Sequence, residues 1–286
     1  MKINDSSGED FILVDFSWYS QTEFILSLFV SKFYAMTLLG NALIILVSLM
    51  NIHLHTPMYF FLQNLSFLDI CFSTCIVPQM LVNMWGGSKK ISCIQCMVQY
   101  TMALTLGSME CVLLAVMAVD QYVAICWFLH FATIMHQQIC HFLAAMSWFS
   151  GFTNCLFQSS LATVLPVCGH SCVDNFFCEV PVIIKMSCVD TGPTELKMLF
   201  ARQITLANLI CIILTSYACI AMAVVRMHSV EGQQKASGTW ASHLMVVSLF
   251  FGTIMSMYFQ PNSNYSQNRG RPLPFLILLL PPLWTH

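Results

Sequence analysis

Long apolar runs alternate with short polar stretches along most of the chain. A bilayer core requires about 20 mostly apolar residues in a helix, and runs of that kind occupy residues 24–50, 58–82, 97–120, 140–165, 198–225 and 240–260. The pattern predicts six membrane-spanning helices. It sets residues 1–23 apart as an extracellular N-terminus, gives 24–260 to the helices and their loops, and leaves 261–286 as an outer loop with a degenerate seventh segment. That segment, Leu273 to Trp284, is interrupted by Pro274, Pro281 and Pro282. A dozen helical residues reach roughly 18 Å, short of a hydrocarbon core of about 30 Å.

Composition narrows the class further. Of 286 residues, 57% are hydrophobic and 8% charged, too few charges to cover a soluble surface. The net charge of −2 excludes a nucleic-acid partner, because no basic stripe is present to neutralise phosphates. The N-terminus carries Asp5, Glu9, Asp10, Asp15 and Glu23, unlike the basic start of a cleaved signal peptide. The first apolar run would itself direct insertion.

Orientation rests on two opposed signals. Lys89, Lys90, Lys185, Arg269 and Arg271 lie on the N-terminal side, against Arg226 and Lys235 on the other, which taken alone places the N-terminus inside. Cys93 and Cys96, and the group Cys168, Cys172, Cys178 and Cys188, fall in loops that alternation puts on that same N-terminal side. Clustered loop cysteines suit an oxidising compartment. The sequons at Asn4 and Asn264 share that side and mark Asn4 for glycosylation. With so few charges to count, the cysteines decide, and the N-terminus is expected outside.

Several blocks then become specific. Gly40-Asn41 lies in the first span. Leu54-His55-Thr56-Pro57-Met58-Tyr59-Phe60-Phe61-Leu62 opens the second, followed by Leu65-Ser66 and Asp69. Met117-Ala118-Val119-Asp120-Gln121-Tyr122-Val123-Ala124-Ile125-Cys126 ends the third, Ser216-Tyr217 lies in the fifth, and Lys235-Ala236-Ser237-Gly238-Thr239-Trp240-Ala241-Ser242-His243 opens the sixth. Together, over about residues 10 to 270, they resemble the olfactory receptors, a branch of the rhodopsin-like G-protein-coupled receptors. The resemblance implies an all-α membrane protein with a rhodopsin-like seven-helix bundle, here with six clear spans and a short, atypical seventh segment. It implies a multi-pass protein of the plasma membrane that binds small volatile odorants and activates a stimulatory heterotrimeric G protein, with no enzyme chemistry.

The chain departs from the family pattern in three places. Val119 and Gln121 replace the tyrosine and arginine of MAYDRY, Phe128 replaces a proline, and the PMLNPxIY signature of the seventh helix is not found after Gln267. The departures lead us to expect weak or absent signalling, with retention in the endoplasmic reticulum.

Site residues follow from the resemblance. It implies a disulfide from Cys96 to Cys178 and a second from Cys168 to Cys188, with Cys93 and Cys172 as competing partners. Asp69 and Glu110 are intramembrane acids that normally face the bundle interior; the matching positions line a cation pocket that takes sodium, the alternative being protonated acids bonded to neighbours. Asp120, Gln121, Tyr122 and Tyr217 form the G-protein switch. The odorant pocket is placed between the outer halves of helices three, five and six, with Leu104 and Ser108 on one face and Phe251, Met255 and Tyr258 on another. Ordinary helix packing is the competing account of these residues, and Gly107 is read as allowing close approach. Lys32 and Arg202 lie near outer helix ends, where snorkelling to headgroups accounts for both. Asn175 stands where the family's outer loop has a histidine, so no metal is expected there, and surface or hydrogen-bonded roles are expected for His53, His55, His130, His136 and His243. Two other functions compete: a small transporter, disfavoured by the lack of inverted halves and charge rings, and a non-signalling receptor relic.

Overall fold

A computed structural model of the chain describes residues 10–13, 20–51, 56–85, 90–163, 172–173, 192–226 and 230–258. Six long helices dominate them: α1 (Ser20–Met50), α2 (Pro57–Trp85), α3 (Cys93–Cys126), α4 (Gln137–Thr163), α5 (Gly192–Arg226) and α6 (Val230–Tyr258). Pro57 occupies the first position of α2, where its fixed φ suits a helix start and its missing N–H costs nothing. A 3-10 turn at Phe128–His130 and a one-turn helix at Phe131–Ile134 connect α3 to α4. The seventh segment, Leu273 to Trp284, lies outside the described residues.

Four helical segments are long and apolar enough to cross a bilayer unaided: Phe24–Met50, Pro57–Trp85, Met97–Cys126 and Leu199–Arg226. Helix α4 has the length, at 27 residues, but a more polar composition. In α6 the described apolar stretch is His243–Met255. Helix α4 buries polar side chains, Ser147 and Gln158 among them, against its neighbours.

Large side chains such as Phe24, Leu28, Leu39 and Leu43 on α1 and Phe149, Phe152 and Leu156 on α4 are exposed and face outward, as a lipid-bathed surface requires. Inside, Phe61, Leu65 and Leu68 of α2, Leu113 and Leu114 of α3, Ile220 of α5 and Phe250 of α6 form one core cluster. Helix α1 joins through a separate small cluster in which Val30 meets Val77 and Met80 of α2. Hydroxyl groups are satisfied locally. Thr37, Ser73, Thr105, Ser147 and Thr253 each donate to the carbonyl four residues earlier, at 2.6–3.0 Å. Such bonds keep a polar atom paired where lipid offers no partner.

The α3–α4 seam is built from small residues. Cys140, Ala144, Ser147, Gly151 and Cys155 recur every three or four positions on the buried face of α4, the spacing that lets membrane helices approach closely. At Gly151 a Cβ would strike Met109 Cγ and stand 2.9 Å from the Thr105 carbonyl oxygen. Gly107, expected to be the close-approach glycine, would place a Cβ at an ordinary 3.8 Å from Phe72. The position that cannot carry a side chain is on the partner helix.

A three-stranded sheet, which the apolar pattern does not predict, caps one end of the bundle. Strand β1 (Asp10–Leu13) pairs antiparallel with β2 (Lys90–Ser92) and parallel with β3 (Cys172–Val173). Ile12 faces both Lys90 and Cys172 in register. The N-terminal segment, the α2–α3 loop and the α4–α5 loop therefore share one end of the bundle.

The seam gives a direct test. Gly151→Ala should destabilise the detergent-solubilised protein by about 1–3 kcal/mol through overpacking. Gly252→Ala, where a Cβ meets nothing within 4 Å, should leave the thermal unfolding midpoint unchanged or slightly raised. Equal midpoints for the two variants would contradict the seam.

Candidate functional site

The sheet-side half of the bundle holds the expected pocket residues. Leu104 and Ser108 on α3 are half-buried, and the Ser108 hydroxyl donates to the Leu104 carbonyl at 2.7 Å. Phe251 is buried in the core cluster, which also takes Leu106 and Met109 of α3 and Leu206 of α5, so three helices converge there. Met255 is half-buried one turn further on, and the side chain of Tyr258 lies outside the described residues.

The hydrogen bonds of Ser108 run instead toward α4 and α5. Asn154 Nδ2 donates to Ser108 Oγ at 2.7 Å, Gln158 Nε2 donates to Asn154 Oδ1 at 3.0 Å, and Arg202 Nη2 donates to Gln158 Oε1 at 3.0 Å. Gln158 is fully buried. Arg202 thus does not snorkel to the headgroups as its position in the sequence suggests. The buried amide of Gln158 offers it an acceptor inside the bundle, and it turns inward. Lys32, by contrast, is exposed, as snorkelling requires. Periodicity marks Ser108 but cannot show that residues 46 and 44 positions apart would meet.

Both intramembrane acids face the bundle interior: Asp69 of α2 and Glu110 of α3 are buried. Among the described residues Glu110 Oε1 has no hydrogen-bond partner.

At the opposite end, Asp120 and Gln121 are buried while Tyr122 is half-buried. Gln121 Nε2 donates to Met58 Sδ of α2 at 3.3 Å, and Asp120 Oδ1 has no partner. Tyr122 accepts at its hydroxyl from Trp127 Nε1 at 3.2 Å. Tyr217 of α5 bonds His243 Nδ1 of α6, a contact for a histidine that the sequence leaves among the weak signals. Its place in the motif that opens the sixth span was the available clue. Trp127, Phe128 and Leu129 stand exposed beside this end.

Cys178, Cys168, Cys188 and Asn4, together with the side chain of Cys96, lie outside the described residues. The backbone nonetheless brings Cys172 into the same sheet as the strand that leads toward Cys96, with β1 between them.

Helices and core together define a rhodopsin-like membrane bundle, and squid rhodopsin superposes on it with a TM-score of 0.72, covering 94% of this chain and 76% of that one at 16% identity. The family model for olfactory receptors matches residues 30–284. Human olfactory receptor 2B2 is 49% identical over 98% of this chain and 79% of its own length, and mouse olfactory receptor 2B6 is 48% identical over 98% and 90%. The chain belongs to the olfactory receptor family, whose members are multi-pass receptors of the plasma membrane and not enzymes.

Proposed function

We propose that this chain is an odorant receptor with an impaired signalling switch. Small volatile molecules bind between the sheet-side halves of α3, α5 and α6, at Leu104, Ser108, Phe251, Met255 and Tyr258, and a stimulatory heterotrimeric G protein meets the opposite end. Family membership over nearly the whole chain supports the receptor class. The observation that carries the impairment is Gln121. Its amide rests on a thioether, a weak acceptor, while the neighbouring Asp120 keeps an unpaired oxygen. An arginine there would be an obligate cation able to pair with that carboxylate and to switch partners, and glutamine supplies neither charge nor fork.

The sheet-capped end is the extracellular end in this reading, with Asn4 glycosylated and Cys96 bridged to Cys178 across the sheet. Cys168 and Cys188 close the same outer loop. Asp69 and Glu110 would hold a sodium ion, which supplies a positive charge to two buried acids; the unsatisfied Glu110 oxygen fits that role.

Two measurements follow. Surface-expressed protein should raise cAMP little with any odorant, and Gln121→Arg should restore a response at unchanged surface level by tenfold or more in maximal signal, on the order of an electrostatic switch worth more than about 1.4 kcal/mol. A strong response from the unmodified chain would refute the impairment, and a silent Gln121→Arg variant at the surface would favour a non-signalling protein. For the cation, replacing choline by sodium should raise the unfolding midpoint of the wild-type protein and leave that of Glu110→Gln unmoved.

A further inference from the structure

The bonds that link Ser108, Asn154, Gln158 and Arg202 all run in one direction. An arginine has only N–H donors, so Gln158 must turn its oxygen toward Arg202, and the bond is made at 3.0 Å. That leaves the Gln158 N–H group to donate to Asn154 Oδ1, and Asn154 Nδ2 to donate to Ser108 Oγ. Amide groups normally admit either orientation, and only the surrounding network decides between them. Here the guanidinium decides for both amides.

The consequence falls on Ser108. Asn154 presents its NH2 group to Ser108 and turns its oxygen toward Gln158, so in this orientation it does not accept the Ser108 proton. The hydroxyl therefore rests on the Leu104 carbonyl. That carbonyl already accepts the Ser108 backbone N–H in the α-helical ladder, so the hydroxyl can leave it without orphaning a polar group. A chain of aligned hydrogen bonds also strengthens its terminal donor. Ser108 is thus a donor held in reserve at the end of a polarised relay.

We propose that Ser108 recognises an acceptor oxygen on the odorant, a ketone or aldehyde carbonyl, and that Arg202 sets this preference as a positioning residue acting through Gln158 and Asn154. The inference rests on the reading that Ser108 lines the odorant pocket. Without Arg202 the two amides can reverse, Asn154 Oδ1 can capture the Ser108 proton, and a carbonyl ligand must compete for it.

Matched probes test the idea on the full chain in lipid nanodiscs by titration calorimetry. The methyl ketones from 2-hexanone to 2-decanone are compared with the corresponding 2-methyl-1-alkenes, in which C=CH2 replaces C=O at nearly the same shape. Wild-type protein should bind the best ketone about five- to tenfold more tightly than its alkene, the scale of one net hydrogen bond. Arg202→Met should bring that ratio close to one without changing alkene affinity. Arg202→Lys, still a donor only, should keep the ratio, which also guards against a folding defect at this position. A ratio that survives Arg202→Met, or a wild-type protein that does not prefer ketone over alkene, overturns the relay while leaving the pocket intact if Ser108→Ala still weakens ketone binding. No saturable binding of either series, or affinities that Ser108→Ala leaves unchanged throughout, overturns the pocket reading and this inference with it.

Discussion

Hydrocarbon offers no hydrogen-bond partner, so each polar atom within the bundle must find one in the protein itself. Most hydroxyls here meet that demand with the carbonyl one turn back on their own helix, as Thr37, Ser73 and Thr253 do. Side-chain amides, which carry more polar atoms, reach across helices instead. Trp148 of α4 donates to Asn64 of α2 at 3.4 Å, and Asn154 of the same helix reaches Ser108 of α3. These cross-links hold α4, the helix whose polar composition makes it a poor span in isolation, against α2 and α3. Small residues at Ser147, Gly151 and Cys155 bring the backbones close enough for the amides to meet.

Among the described residues, two of the atoms that escape this rule belong to buried acids. Glu110 Oε1 and Asp120 Oδ1 are buried without partners. One belongs to Glu110 of α3 in the bundle interior, the other to Asp120, next to Gln121 at the end away from the sheet. Elsewhere α2 and α3 are densely packed with apolar side chains. An unsatisfied buried acid is costly, which sets these two positions apart from the apolar packing around them. Gln121, beside Asp120, carries no charge that could answer that carboxylate, and its amide rests on Met58 Sδ.

Much of the fold is legible in the sequence because hydrocarbon thickness fixes helix length, and the apolar runs 24–50 and 198–225 nearly coincide with the spans at Phe24–Met50 and Leu199–Arg226. The cost of a charge in hydrocarbon likewise places Asp69 and Glu110 in the bundle interior, and both are buried. What escaped depends on contacts between distant positions. The inward turn of Arg202 depends on Gln158 facing it from another helix, and a lone basic residue near a helix end looks the same whether it snorkels or pairs. Gly151 resembles any glycine in an apolar run until Thr105 and Met109 are set against it. The cap strands are two to four residues long, with too few positions for an alternating pattern to stand out from a loop.

The claim that buried polar groups bond one another across helices, and thereby hold α3 to α4, is tested most directly at Ser108 and Asn154. A double-mutant cycle of thermal unfolding in detergent, with Ser108→Ala, Asn154→Leu and the pair, isolates their interaction. The account predicts a coupling of about 1 kcal/mol, with the double variant losing less stability than the two single variants together. Additivity within roughly 0.3 kcal/mol would show that the contact contributes nothing to the seam and would contradict the account.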